Sequence, residues 1–148
     1  MLTLSAAPSV VLGVVSDLSR YPGWLDLVTR AEHIAADDGD PGPAWDVELR
    51  GKVGPLARSK RLRMVRSQHD VDSEVGGLVR FERREVGGRS HSPWVLTVDV
   101  GPAEAGAGST LTMGLHYGGS LWGSVLDRVL ADAVARGRSR LPQVIAGA

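Results

Sequence analysis

The hydrophobic pattern of this 148-residue chain changes period twice, from helical to alternating and back to helical. Val11, Val14, Val15 and Leu18 recur at i, i+3, i+4 and i+7, one face of a helix predicted from about Pro8 to Leu18. Pro8 suits the first helical turn, where its missing N–H is not needed, and Gly13 and Ser16 fall on the other side. The segment Asp17-Leu18-Ser19-Arg20-Tyr21-Pro22-Gly23-Trp24-Leu25 then breaks the stripe, with a second short helical turn expected around Trp24 to Leu27.

From Val28 the period is two. Val28 to Ala36 reads as a weak strand ending in the turn-rich run Asp37 to Pro43. Trp45, Val47 and Leu49 alternate with Asp46, Glu48 and Arg50, and Gly54-Pro55 marks the next turn. Leu62 and Met64 alternate with Arg61 and Arg63, and Val79 and Phe81 with Arg80 and Glu82. Trp94, Leu96, Val98 and Val100 form the next apolar set, followed by Leu111, Met113, Leu115 and Tyr117. Such alternation gives a sheet one dry and one wet face, as in an antiparallel meander. With Leu2 to Ser5 as a short first strand, about seven strands are expected.

The helical period returns after Gly118-Gly119-Ser120, with Ser120 as the expected N-cap. Trp122, Val125, Leu126, Val129, Leu130, Ala133, Val134, Gly137 and Leu141 fill a half-circle at about 100° per residue. That is wider than a helix lying on a flat surface needs. A long helix held by a curved sheet accounts for it. Asp132 and Arg136 are spaced to pair at i, i+4, and Pro142 should stop or kink the helix near Arg138 to Leu141.

Composition narrows the function classes. Seventeen basic and seventeen acidic residues leave no net basic field of the kind nucleic-acid binders use. The absence of cysteine removes disulfides, thiolate catalysis and cysteine metal sites. His33, His69, His91 and His116 lack metal-ligand spacing, so neither metal nor cofactor is expected. There is no Gly-x-Ser-x-Gly elbow, and the glycine pairs in Val86 to Arg89 and Tyr117 to Ser120 read as strand-end turns. Met1 to Ser5 carries no basic leader, and no apolar run reaches membrane-spanning length. The expectation is one cytoplasmic domain over residues 1–148.

The order of helix, Asp-x-x-x-Tyr-Pro-x-Trp corner (Asp17, Tyr21, Pro22, Trp24), strands and C-terminal helix resembles the START-related SRPBCC superfamily. That superfamily contains aromatic polyketide cyclases, lipid-transfer domains and coenzyme Q-binding proteins. The resemblance implies an α+β helix-grip fold, with two short helices after strand one and a curved antiparallel sheet wrapped around a long C-terminal helix. It also implies a cavity for a hydrophobic or aromatic small molecule such as a polyketide, isoprenoid or lipid. A polyketide cyclase or dehydratase acting in the same cavity is the alternative, and a protein-interaction module is a third class.

The inward phases and the corner nominate a ligand-binding set of Trp24, Met64, Phe81, Trp94, Leu96, Met113, Leu115, Tyr117, Trp122, Val125 and Val129. They would bound an apolar pocket of roughly 300–1,000 Å³. Arg66 and Arg83 extend the apolar phases of their strands. Pointing inward, either would offer an immobile cation to a carboxylate or enolate oxygen; a bulge or strand end would turn it outward. Arg61, Arg63 and Arg80 fall on polar phases, and a wet sheet face with cross-strand charge pairs accounts for most of the basic cluster they form with Arg58, Lys60 and Arg84. No residue is nominated as catalytic.

Overall fold

The computed structural model describes residues 1–53, 56–72, 74–87, 91–104, 106–118 and 123–147. Side chains are described for all of these except residues 52–53, 56–58 and 123–127. The Gly54-Pro55 turn, part of the Val86 to Arg89 turn and the Ser120 cap lie outside the described residues.

Among the described residues, seven strands form one antiparallel sheet in the order β1-β7-β6-β5-β4-β3-β2. They are β1 (Leu2–Leu4), β2 (Val28–Ile34), β3 (Ala44–Val53), β4 (Leu56–Asp72), β5 (Gly76–Arg83), β6 (Trp94–Pro102) and β7 (Ser109–Tyr117). From β2 to β7 each strand pairs with the next, as the alternating pattern demands of a meander. Short β1 closes the far edge against β7. Trp94 stands opposite Tyr117, Leu96 opposite Leu115, Val98 opposite Met113 and Val100 opposite Leu111. Directly opposed residues share a face, so the apolar phases of these strands gather on one side. The wet side shows the expected cross-strand pairing, Arg61 lying opposite Glu48 and bonding it at 3.4 Å.

Helix α1 (Pro8–Val15) opens on its proline as expected and buries Val11, Leu12, Val14 and Val15. It stops earlier than the periodicity predicts. Asp17 takes an extended conformation, and its carboxylate accepts bonds from the Ser19 N–H at 3.0 Å and the Ser19 hydroxyl at 2.6 Å. That cap starts a 3₁₀ helix over Leu18–Gly23, so the second helical piece precedes Trp24 instead of following it. Ser16, expected on the open side, is buried. Tyr21 turns back from the 3₁₀ helix and donates its hydroxyl to the Val15 carbonyl at 2.7 Å, satisfying one of the acceptors a helix end leaves free.

The C-terminal helix stops next to the expected Arg138 to Leu141 break, and a long continuous helix is not seen among the described residues. The chain instead makes α2 (Gly123–Gly137) and, after a turn, α3 (Leu141–Ala146), with Pro142 at the start of the latter. The break falls where Pro142 forbids a continuous helix. α2 lies against β7 and β3, and α3 packs on α1 and the 3₁₀ helix. Leu130 and Ala133 of α2 and Leu141 and Ile145 of α3 are buried in the core. Arg136 does not pair with Asp132. It bonds Asp26 at 3.1 Å, and Arg140 reaches the other Asp26 oxygen at 2.7 Å, tying the end of α2 to the chain entering β2. Among the described residues no helix is long and apolar enough to cross a membrane.

Arg63 corrects the picture of a uniformly solvated outer face. Its side chain is only 8 % exposed and pairs with Asp40 at 2.7 Å, an equally buried carboxylate, while also donating to the Arg84 carbonyl at 3.0 Å. The loop before β3 therefore folds back over the sheet. The Arg63 hydrogen bond, joined by the Asp37 N–H, holds the Asp40 carboxyl below its ordinary range.

Two expectations follow. Gly137 ends α2 against the backbone of Trp24, where an added methyl would overlap the Trp24 carbonyl oxygen. Alanine is the better helix former by about 1 kcal/mol, yet Gly137→Ala should destabilise by about 1–3 kcal/mol in urea unfolding because the contact is overpacked. Asp40→Ala should cost on the order of 1–3 kcal/mol by leaving a buried guanidinium short of its acceptor. Since the folded carboxyl titrates lower than the unfolded one, the pair's contribution is complete above about pH 4 and fades as pH falls through the folded value. The wild-type and Asp40→Ala stability curves should converge in acid.

Candidate functional site

The inner face of the sheet carries an aromatic plug and, beside it, a small apolar cavity. Tyr21 and Trp24 have ring centres 5.4 Å apart, and Phe81 meets Tyr21 edge-on at 6.2 Å and Trp45 at 5.6 Å. Tyr21, Trp24 and Phe81 are fully buried. Trp24 and Phe81 thus fill the core where the sequence nominated them as pocket walls. The cavity itself lies next to them, with a volume of about 30 Å³. A ligand of drug size needs about 300–1,000 Å³; the pocket expected at that size is also bounded by Trp122, which lies outside the described residues.

Among the described residues, every one lining this cavity is apolar. Met64, Trp94, Leu96 and Leu115 of the nominated set are among them, joined by Leu18, Leu25, Leu27, Val28, Val47, Leu49, Leu62 and Leu130. Val47, Leu49 and Leu62 belong to alternating phases already visible in the sequence, so extending the nomination along those strands would have found them. Leu25 and Leu27 sit in a turn with no period to announce them. Met113, Tyr117 and Val129 are half-buried and pack against the core, with the Tyr117 ring 4.6 Å from that of Trp94. Trp122 and the Val125 side chain lie outside the described residues.

A second space of about 500 Å³ opens between α2 and the β2–β3 edge. It is lined by Leu27, Gly51 and Val129 with Asp26, Thr29, Arg50, Asp132 and Arg136. Leu27 lines both spaces, so the charged cleft adjoins the apolar cavity. A β-carbon on Gly51 would come within 3.4 Å of Val129, so the glycine keeps strand and helix close at this point. Asp26 anchors the cleft. The hydrogen bond from Arg140, outweighing the effect of burial and reinforced by Arg136, holds its carboxyl below the ordinary range.

The two nominated arginines part company. Arg83 stands directly opposite Met64 and so shares its inner face, but its Nε bonds Glu85 at 3.0 Å and its Nη1 donates to the Ser92 carbonyl at 3.3 Å. Burial pushes the Glu85 carboxyl up, while the Arg63 N–H and the Arg83 guanidinium outweigh it and hold the group low. The Lys60 ammonium lies 5.9 Å from the centre of the Trp94 ring, within cation–π range. Arg66 belongs elsewhere. It donates to the Ser16 carbonyl at 3.1 Å and lines a groove beside α1 that shares no residue with the cavity or the cleft.

Comparison with known proteins gives one finding of descent. The family model described as polyketide cyclase / dehydrase and lipid transport matches residues 2–143, from the first strand into α3. No curated protein matches the chain. The seven-stranded antiparallel sheet, the capped corner at Asp17 to Trp24 and the family match agree, and the chain belongs to the polyketide cyclase/dehydrase and lipid-transport family of the SRPBCC superfamily.

Proposed function

We propose that this protein binds a hydrophobic or aromatic small molecule between the sheet and α2, taking it in through the cleft beside Asp26 and Arg136. The observation that carries this reading is the apolar cavity, walled by aliphatic side chains and Trp94, with a charged cleft adjoining it at Leu27. Desolvating an apolar ligand there contributes about 25 cal/mol per Å² of buried surface. The space enclosed by the described residues, about 30 Å³, is smaller than such a ligand, which needs room beyond it. Met64 supplies an adaptable wall, and α2 is held at its end to Asp26 by two partly exposed ion pairs, which constrain weakly.

A carrier role fits this lining better than catalysis. None of the residues named around the cavity has an acid, a base or a charged side chain, whereas cyclisation needs a group that stabilises developing charge. The cyclase reading retains one point of support: Arg83 shares the inner face with Met64.

Titration with a flavone or an anilinonaphthalene sulfonate dye should change tryptophan fluorescence saturably. Leu49→Trp, which fills the cavity, should abolish the response, while Arg83→Gln should leave affinity within about threefold. Absence of saturable binding by the wild-type protein across such probes would overturn the proposal. Turnover of a poly-ketone substrate that Arg83→Gln lowers by about 10²–10³, with binding intact, would establish the cyclase instead.

A further inference from the structure

The strand pairing of β4 carries an irregularity that builds a second site. Arg66 pairs with Phe81 and Gln68 with Arg80, so one extra residue is accommodated between them as a bulge. Before it, the even-numbered residues Met64 and Arg66 face the core side. After it the phase switches: His69 stands opposite Val79 and Val71 opposite Gly77. Arg66, His69 and Val71, whose spacing in a regular strand would put Arg66 on the face opposite to the other two, thereby line one groove of about 360 Å³. Leu12, Ser16 and Asp17 close its other side.

We propose that this groove binds a small organic carboxylate, anchored by the Arg66 guanidinium. Among the described residues Arg66 makes no ion pair; its Nη1 is engaged by a neutral carbonyl, leaving the rest of the guanidinium fork for an anion. Ser16 keeps a buried hydroxyl with no hydrogen-bond partner among the described residues. Burial, with the neighbouring Arg66 charge, holds His69 below its ordinary range, so at neutral pH it offers an uncharged N–H. These groups supply one positive charge and further donors, the complement of a monoanion. Leu12 and Val71 give the groove apolar walls, which favour an organic body over an inorganic ion. Asp17 opposes the anion, but one of its oxygens is already occupied by the Ser19 N–H and hydroxyl.

The experiment is a side-chain NMR titration at pH 7 with benzoate, its neutral isostere benzamide, and inorganic phosphate. Benzoate should shift the Arg66 Nε–H and the His69 ring signals saturably, with benzamide and phosphate each at least about tenfold weaker. Arg66→Gln should remove the benzoate effect. Asp17→Asn provides an arm independent of any loss of folding in that variant, because asparagine caps as well as aspartate; removing the opposing charge should tighten benzoate by about threefold. Equal response to benzoate and benzamide, phosphate binding as tight as benzoate, or no gain in Asp17→Asn would each overturn the proposal.

Discussion

The contact between Trp24 and the end of α2 is the constraint on which the rest of the architecture depends. Gly137 lets the helix terminate directly on the Trp24 backbone, and Trp24 is seated by Tyr21, whose hydroxyl is spent on the last turn of α1. One aromatic corner thus sets α1, the 3₁₀ helix and α2 relative to the sheet. The buried rings of Phe81 and Trp45 extend that corner onto β5 and β3. Aromatic pairs at these separations add about 0.5–1.5 kcal/mol each beyond the surface they bury. The corner of Asp17, Tyr21, Pro22 and Trp24 is therefore first a packing device, with Asp17 ending one helix and starting the next.

Where the chain obeys one period, the sequence reads through to the structure. The facing sets on β6 and β7 follow from alternation alone, because a one-residue slip would send every side chain to the wrong face. Reading fails where another interaction competes with the period. The side chain of Asp17 ends α1 short of Leu18, and Asp26 draws Arg136 away from the helical neighbour that spacing offered it. Arg63 sits on the wet phase yet is covered by a loop whose position no local pattern encodes. The cavity was the least legible feature. A list of inward residues does not distinguish those that touch one another, such as Trp24 and Phe81 in the plug, from those that leave space between them.

The interior divides by side-chain chemistry. The rings meet tilted and edge-on at one end and fill it, whereas leucines, valines and Trp94 meet around Met64 and leave a gap. Aliphatic walls with rotatable ends deform more readily than interlocked rings, so any enlargement of the interior is directed toward α2 and the Leu27 edge. The cleft's charges lie at that same edge.

The bulge in β4 has a consequence for how this protein can diverge. It acts as a phase shift in an otherwise binary code. Straightening it at constant length, so that the rest of β4 slides by one residue against β5, would exchange His69 and Val71 for Gln68 and Asp70 on the face beside α1, by the alternation of a regular strand. Beside Arg66 and Asp17 the groove would then carry an amide and an acid in place of an imidazole and a valine, with no substitution anywhere in the chain. The strands before it would keep their register. A register slip of one residue would thus re-specify the lining of one groove while leaving the cavity untouched.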